Sequence, residues 1–413
     1  MIRVAYIVYC FDVGGIERCV AHLANHLDRA RFQPEIIALT KSGGAAEWIA
    51  QDDVPILEVH KRAGNDPQAL FRLARVLRDR EIDLVHSHNW GTLVETTLAR
   101  RWAGVPVHVH SERGTVLGDL DLAGSRRWVR SAAMRWSLGR ADAVVSNAFA
   151  TAGKVERMSG YPAERMIVIP NGVTCPSVSD RDGARAAIHR DLQIGSDAIV
   201  IGSVGRLVAV KNFGMAIDAV AELHRRDVDL HLLLVGAGPE QSALSRHAAA
   251  SGIARRVHLV GHQDDFGRWM AAMDLYVNCS NSEGMSQSIG EAVAMGLPLI
   301  VTDVGDNARF LDSESPCGEV VPAGDVPMLC QAISRFSGCR RRMVEFGRAA
   351  AEQHRLKYSL DAMIRSYAEL YENLQQGGGR PDRSLRVTRP SSAVVRARAA
   401  DDAIELLACG SAS

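Results

Sequence analysis

No stretch of this chain approaches the eighteen or so consecutive apolar residues that a membrane-spanning helix requires, so an integral helical membrane protein is not expected. An excess of charge of one sign is also missing. Lysine plus arginine number 48 and aspartate plus glutamate number 48, and a chain with no net charge has no global electrostatic drive toward nucleic acid. The eight cysteines, at 10, 19, 175, 279, 317, 330, 339 and 409, include no C-x-x-C pair and no His/Cys cluster at zinc spacing. That pattern speaks against a zinc ribbon or a disulfide framework and suits free thiols in a reducing cytoplasm. The opening MIRVAYIVYCFDVGG lacks a small-x-small cleavage site, and its short apolar run leads straight into a helical pattern. It reads as a first β-strand rather than a leader.

Two cofactor signatures are incomplete as well. Gly236 and Gly238 form G-x-G after a strongly apolar run, but the third glycine of a dinucleotide fingerprint would fall on Gln241. A nicotinamide enzyme is therefore not expected. Asp-x-Asp occurs at Asp119/Asp121, Asp180/Asp182 and Asp227/Asp229, close to the number that composition yields by chance, and these pairs read as solvated turns rather than magnesium ligands. No metal and no cofactor are expected.

What is present is a rhythm. At 413 residues, 47% hydrophobic and 23% charged, the chain has the size and balance of two soluble domains. Short apolar strands, glycine-rich or polar turns and amphipathic helices alternate: VAYIVYCF leads to GGIERCVAHLANHLDRA, and QPEIIALT, DLVHSH and VPVHVHSE follow with PQALFRLARVLRDR among them. This βαβ pattern implies a parallel sheet covered by helices. IPNGVTCPSVSDRDG breaks the pattern, which restarts with AIVIGSVG, LHLLLVGAG, VHLVG, LYVNCS and LPLIVTDVG. The expected organisation is an α/β protein of two doubly wound, Rossmann-like domains, 1–172 and 173–356. A helix over 357–375 returns to the first domain, and a disordered tail occupies 376–413.

In doubly wound sheets, ligands bind at the carboxyl ends of strands. One such loop, GRLVAVKN, carries Arg206 and Lys211, two cations suited to a diphosphate. Another, SEGMSQSIGEAVAMGLPLIVTD, places Glu283 and Glu291 on either side of seven mostly small residues. Two readings of these acids stand side by side. Ser288 and Glu291 form an S-x-x-E capping box with Ser288 as N-cap, and Glu283 is merely exposed. Alternatively, both carboxylates grip a polyhydroxylated ligand while N–H groups of Gly284, Met285 and Ser286 face its oxygens.

GRLVAVKN, LLLVGAGPE, VHLVGHQDD and SEGMSQSIGEAVAMGLPLIVTDVGDN, in this order and spacing, resemble the family 4 retaining glycosyltransferases. The resemblance extends to about residue 375. It implies the GT-B fold, two Rossmann-like domains facing a central cleft, and a nucleotide-sugar donor, UDP- or GDP-linked. By the same resemblance Glu283 contacts the donor sugar, Glu291 the ribose, and Arg206 and Lys211 the diphosphate. Gly14 and Gly15 match the family's glycine loop, His110 its active-site histidine, and His86 and His88 end the neighbouring strand on the acceptor side. His108 is expected to point away from His110. Gly290, Asp306 and Arg309 depart from the commonest family pattern.

The implied activity is metal-independent transfer of a sugar, with retention of configuration, to a glycan or lipid-linked acceptor in cell-surface polysaccharide synthesis. The alternatives are a nucleotide-sugar hydrolase or epimerase of the same fold, or a non-catalytic sugar-nucleotide-binding subunit. Residues 122–140 carry Arg126, Arg127, Arg130, Arg135 and Arg140 interleaved with Trp128 and Trp136 and no acid. This segment suits either the anionic inner face of a cell membrane, with the protein cytoplasmic and peripheral, or a half-buried helix with a solvated basic face.

Overall fold

The computed structural model describes residues 1–113, 124–311 and 315–377, the side chain of Arg126 excepted. The chain forms two compact units, the first from Met1–Gly172 with the stretch that starts at Leu360, the second from Val173–Ser359. The 378–413 segment, where the tail was expected, lies outside the described residues.

The first unit is built on β1 (Ile2–Val8), β2 (Phe32–Ala38), β3 (Ile56–Glu58), β4 (Leu84–His88), β5 (Val107–Glu112), β6 (Ala143–Ser146) and β7 (Ile167–Val168). They pair in parallel in the order β3-β2-β1-β4-β5-β6-β7. Its helices include α1 (Gly15–His26), α2 (Pro67–Asp79), α3 (Trp90–Ala103), α4 (Gly124–Leu138) and α5 (Phe149–Ser159). In β1, Val4, Tyr6 and Val8 enter one core layer while Ala5 and Ile7 enter the other. A strand buried on both faces must be apolar throughout, which is why β1 shows a continuous run rather than alternation.

The second unit contains α6 (Arg181–Asp191), β8 (Ile199–Val204), α7 (Phe213–His224), β9 (Leu230–Val235), α8 (Gln241–Ala250), β10 (Val257–Leu259), α9 (Phe266–Met270) and β11 (Leu275–Asn278). It continues with α10 (Gln287–Ala294), β12 (Leu299–Thr302), β13 (Gly318–Val321), α11 (Val326–Ser337) and α12 (Arg340–Gln353). Its strands pair in parallel in the order β10-β9-β8-β11-β12-β13. Both sheets therefore reverse their winding once, between β1 and β4 and between β8 and β11. These are the switch points at which a doubly wound sheet opens a crevice.

The closing helix α13 runs Leu360–Gln375, three residues shorter at its start than the periodicity suggests. The residues before it form a π-turn, His354–Tyr358, in which Ser359 N–H bonds to the His354 carbonyl and the Tyr358 carbonyl accepts Val173 N–H at 2.8 Å. Those bonds assign 357–359 to the second unit. Helix α13 itself inserts Met363, Tyr367 and Tyr371 into the core layer of Val4 and Tyr6. Among the described residues no helix is long and apolar enough to cross a membrane.

Candidate functional site

In the second unit the loops after β8 and β11, the two strands at the switch point, are bridged by an ion pair. Lys211 Nζ lies 2.5 Å from Glu283 Oε1, and Ser280 Oγ donates to the same oxygen at 2.8 Å. Both side chains are mostly buried, so the pair is held rather than solvated. The backbone adds a second tie, Asn281 N–H to the Val210 carbonyl at 2.8 Å. Arg206 projects from the same β8 loop with its side chain exposed and no ion pair to any described residue.

A third loop, after β12, fixes the acidic one. Thr302 Oγ1 donates to the Ser280 carbonyl at 2.7 Å, Asp306 N–H donates to the Gly284 carbonyl at 3.0 Å, and buried Asn307 bonds Asn278. Gly305 crosses so closely that a Cβ would lie 2.2 Å from the Glu283 carbonyl oxygen, and its φ of +56° is left-handed. Only glycine meets both demands cheaply. Nothing in sequence spacing singles out Ser280, Thr302, Gly305 or Asn307. Their common signal is position just past a strand.

The capping-box reading does not hold. Helix α10 begins at Gln287, so Ser288 lies inside it. The N-cap is Ser286, whose side chain makes no capping bond and instead sits 3.3 Å from Ser288 Oγ. The first N–H groups of α10 are thus free of a side-chain cap, as an oxygen-rich ligand would need. Glu291 stands half-buried on the next turn, close enough to Tyr276 that its charge adds to burial in pushing that phenol up to about 12. Gly290 also has a packing reason: a Cβ there would lie 2.7 Å from Val173 Cγ2. Asp306 is buried, and its charge favours the protonated form of Arg309, whose guanidinium burial pulls down.

The G-x-G after β9 serves the fold. A Cβ on Gly236 would fall 2.0 Å from the Gly205 carbonyl oxygen and one on Gly238 would fall 2.3 Å from that of Leu207. The glycines let two strand-end loops cross. The Asp-x-Asp pairs behave as turns where described: Asp180 caps α6 through Gly183 N–H, and Asp229 pairs with Arg256. Asp119 and Asp121 lie outside the described residues. A groove of about 490 Å³ lies between α7 and α11; Arg225 and Arg226, which line it, pair with Glu222.

In the first unit Gly14 and Gly15 open α1 directly after β1. A Cβ on Gly15 would meet nothing within 4 Å, whereas Glu17 folds back over Gly14. Burial raises the Glu17 carboxyl. Asp12 in the same loop accepts from Val13 and Gly44 N–H, which lowers its pKa. Across the switch point stand His86 and His88 on β4. His86 is fully buried, with Nδ1 2.7 Å from the Tyr371 hydroxyl and Nε2 2.7 Å from Ser111 Oγ. The His88 ring centroid lies 4.2 Å from that of His86, tilted by 36°, and neither of its nitrogens has a partner among the described residues.

His110 is elsewhere. It lies two residues before the end of β5, fully buried, with Nδ1 2.7 Å from Ser87 Oγ and Nε2 3.3 Å from Glu112. Because β4 alternates, Ser87 and therefore His110 occupy the sheet face opposite His86 and His88. His108 does not point away from His110: its Nε2 lies 2.8 Å from the same Ser87 hydroxyl. Side chains two apart on a strand share a face, and the expectation miscounted that period.

Helix α4 exposes Trp128 by 72%, Val129 by 58% and Trp136 by 41%, and Arg140, just past its end, lies 4.1 Å over the Trp136 ring. Residues 122 and 123 lie outside the described residues. No group of three or more metal-ligating side chains occurs among the described residues.

Comparison with known proteins places this geometry. The model of the family described as glycosyl transferases group 1 matches residues 198–338, and that of Glycosyltransferase Family 4 matches residues 13–175. The D-inositol 3-phosphate glycosyltransferase of Salinispora tropica is 30% identical over 398 residues, 87% of this chain and 81% of that protein. The lipopolysaccharide core biosynthesis glycosyltransferase LpsE of Rhizobium meliloti is 30% identical over 233 residues, 55% of this chain and 64% of that protein. Among solved structures, Anabaena Alr3699/HepE in complex with UDP superposes with a TM-score of 0.69 at 19% identity, over 90% of this chain and all of that one. The same protein has also been solved with UDP-glucose. Likeness at that identity shows the fold, which is GT-B.

Proposed function

The chain belongs to glycosyltransferase family 4, and on that premise we propose that it moves a hexose from a nucleoside diphosphate sugar to a hydroxyl of a glycan or lipid-linked acceptor, with retention of anomeric configuration. The observation that carries this reading is the Lys211–Glu283 pair across the β8/β11 switch point, with exposed Arg206, which has no ion pair among the described residues, on the Lys211 loop. A diphosphate would draw Lys211 and Arg206 to its oxygens and release Glu283 to accept from sugar hydroxyls. Glu291, one helical turn further, is suited to the ribose. The uncapped start of α10, with Gly284, Met285 and Ser286, offers N–H donors to the same ligand.

In this reading the two cations and the helix N-terminus stabilise the departing diphosphate, the charge a divalent ion would otherwise offset. Activity that disappears with a chelator and returns with magnesium would contradict that part. The leaving phosphate oxygen takes the acceptor proton on the attacked face of the sugar. His110, buried with both ring nitrogens engaged, acts by holding Glu112 rather than by touching the sugar. UDP is the favoured base carrier because HepE, of the same fold, binds UDP and UDP-glucose. The relatives' names support an acceptor in cell-surface or small-polyol glycosylation.

Calorimetric titration with UDP-, GDP-, ADP- and CMP-sugars tests the reading. Removing a charge-assisted contact to a diphosphate costs about 1.5–3 kcal/mol, so Lys211→Ala should weaken one nucleotide class roughly 10- to 150-fold, and Glu291→Ala should weaken it too. Wild-type affinity in both variants would refute the site.

The exposed Trp128, Val129 and Trp136 with the surrounding arginines support a second part of the reading, contact with an anionic lipid surface that presents the acceptor. Cosedimentation should rise with the anionic lipid content of liposomes and fall in a Trp128→Ser/Trp136→Ser variant. Binding indifferent to lipid charge would remove this part.

A further inference from the structure

Arg113 follows β5 directly, and the groups that hold it among the described residues are neutral. Its Nη1 donates to Asn171 Oδ1, its Nη2 donates to the Tyr367 hydroxyl at 2.5 Å, and its backbone N–H donates to Asn89 Oδ1 at 2.9 Å. The guanidinium carbon lies 5.5 Å over the Tyr367 ring. Nε is buried without a partner. No carboxylate among the described residues pairs with this cation.

The surroundings add no negative charge. Burial pushes His86 and His88 well below the ordinary imidazole value, with the Arg113 charge adding to the effect. It pushes the Tyr6, Tyr367 and Tyr371 phenols and the Cys19 thiol upward. At neutral pH the cluster therefore carries one positive charge and no counter-ion among the described residues. Withdrawing a charge from water without a partner is costly, and such a site persists where a ligand supplies the opposite charge.

A second observation points the same way. His88 is 2% exposed, and both its ring nitrogens lack partners among the described residues, although buried polar groups in folded proteins are nearly always bonded. It stands on β4 at the first unit's switch point, where a doubly wound sheet receives its ligand. Each terminal nitrogen carries a second N–H beyond the bonds just named, and a guanidinium with donors to spare can meet a phosphate.

We propose that Arg113 binds a phosphate oxyanion of a substrate, with His88 as its neutral hydrogen-bonding neighbour. The nature of that substrate rests on the glycosyltransferase reading. The phosphate belongs either to the donor diphosphate or to a phosphorylated acceptor, and one experiment separates them.

The full chain, as wild type, Arg113→Gln, Arg113→Lys and Lys211→Ala, is titrated with UDP by calorimetry. The same proteins are heated in phosphate and in chloride matched for ionic strength. Phosphate should raise the wild-type Tm beyond chloride, Arg113→Gln should abolish that rise, and Arg113→Lys, which lacks the fork, should weaken it several-fold. A tenfold or larger loss of UDP affinity in Arg113→Gln assigns the phosphate to the donor. Unchanged UDP affinity with lost phosphate protection assigns it to the acceptor. The proposal falls if Arg113→Gln responds to both probes as wild type does, or, should that variant not fold, if Arg113→Lys does so. A wild type that binds no nucleotide sugar would sink the proposed function and leave the phosphate result standing, because that probe needs no nucleotide.

Discussion

Ser87 sits between two imidazoles, and a hydroxyl has one hydrogen to donate, so it must donate to one ring and accept from the other. With His110 Nε2–H directed at Glu112, its Nδ1 can accept the Ser87 hydrogen. Ser87 then accepts from His108 Nε2–H, and His108 Nδ1 is left as a buried acceptor without a partner. Removing the hydroxyl would strand nitrogens on both rings. Ser87→Ala should therefore cost about 1–3 kcal/mol of stability, read from a urea midpoint. A midpoint equal to wild type would mean that the chain does not act as a unit. None of this was legible beforehand, because the serine and the histidines meet only when β4 and β5 pair.

Between β9 and β10, His231 Nδ1 lies 3.0 Å from His258 Nε2 and the two rings stack. One proton bridges the two nitrogens, so the accepting ring must be neutral, and burial with the neighbouring imidazole lowers His258 to about 4. The sign follows: an unfolded histidine near 6.5 binds protons more readily than the folded one. The stability this pair contributes is complete above about pH 6.5 and is lost as pH falls through about 4. His258→Phe should flatten the decline of Tm across that window. An unaltered pH profile would refute the assignment. Helix α13 offers a parallel case: Tyr371→Phe leaves His86 Nδ1 buried without its 2.7 Å partner and should lower stability by about 1–3 kcal/mol, measured by chemical denaturation. Elements of this length were readable from period and composition, whereas β3, β6, β7 and β13, of two to four residues, were not. Strands β10, β11 and β12 are as short but were readable because each stands in an apolar run followed by a glycine or polar turn.

Each of the two units closes its own core, but the first does so only with residues from the far end of the chain. Met363, Tyr367 and Tyr371 fill the layer above Val4 and Tyr6, and Gln375 reaches the Asp83 carbonyl. A chain ended after Ser359 should lose hydrogen-exchange protection throughout β1, β2 and β4 while β8, β9 and β11 keep theirs. Uniform protection in the truncated chain would show that α13 is dispensable to the first core.

The residues proposed for the donor site, Arg206, Lys211, Glu283 and Glu291, could be picked out because charge type and the position just past a strand are properties of the chain read in order. So was the doubly wound character of both halves, since strands buried on two faces must be continuously apolar. Strand order was not, and with it went the facts that matter most at the site: that the loops of Lys211 and Glu283 meet at the β8/β11 reversal, that Gly305 underlies the Glu283 backbone, that His110 lies across the sheet from His86 and His88, and that Arg113 has only neutral partners among the described residues. The physical reason is range. Propensity and periodicity act over a few residues, but a hydrogen bond or an uncompensated charge depends on which distant segment packing brings within about 3 Å.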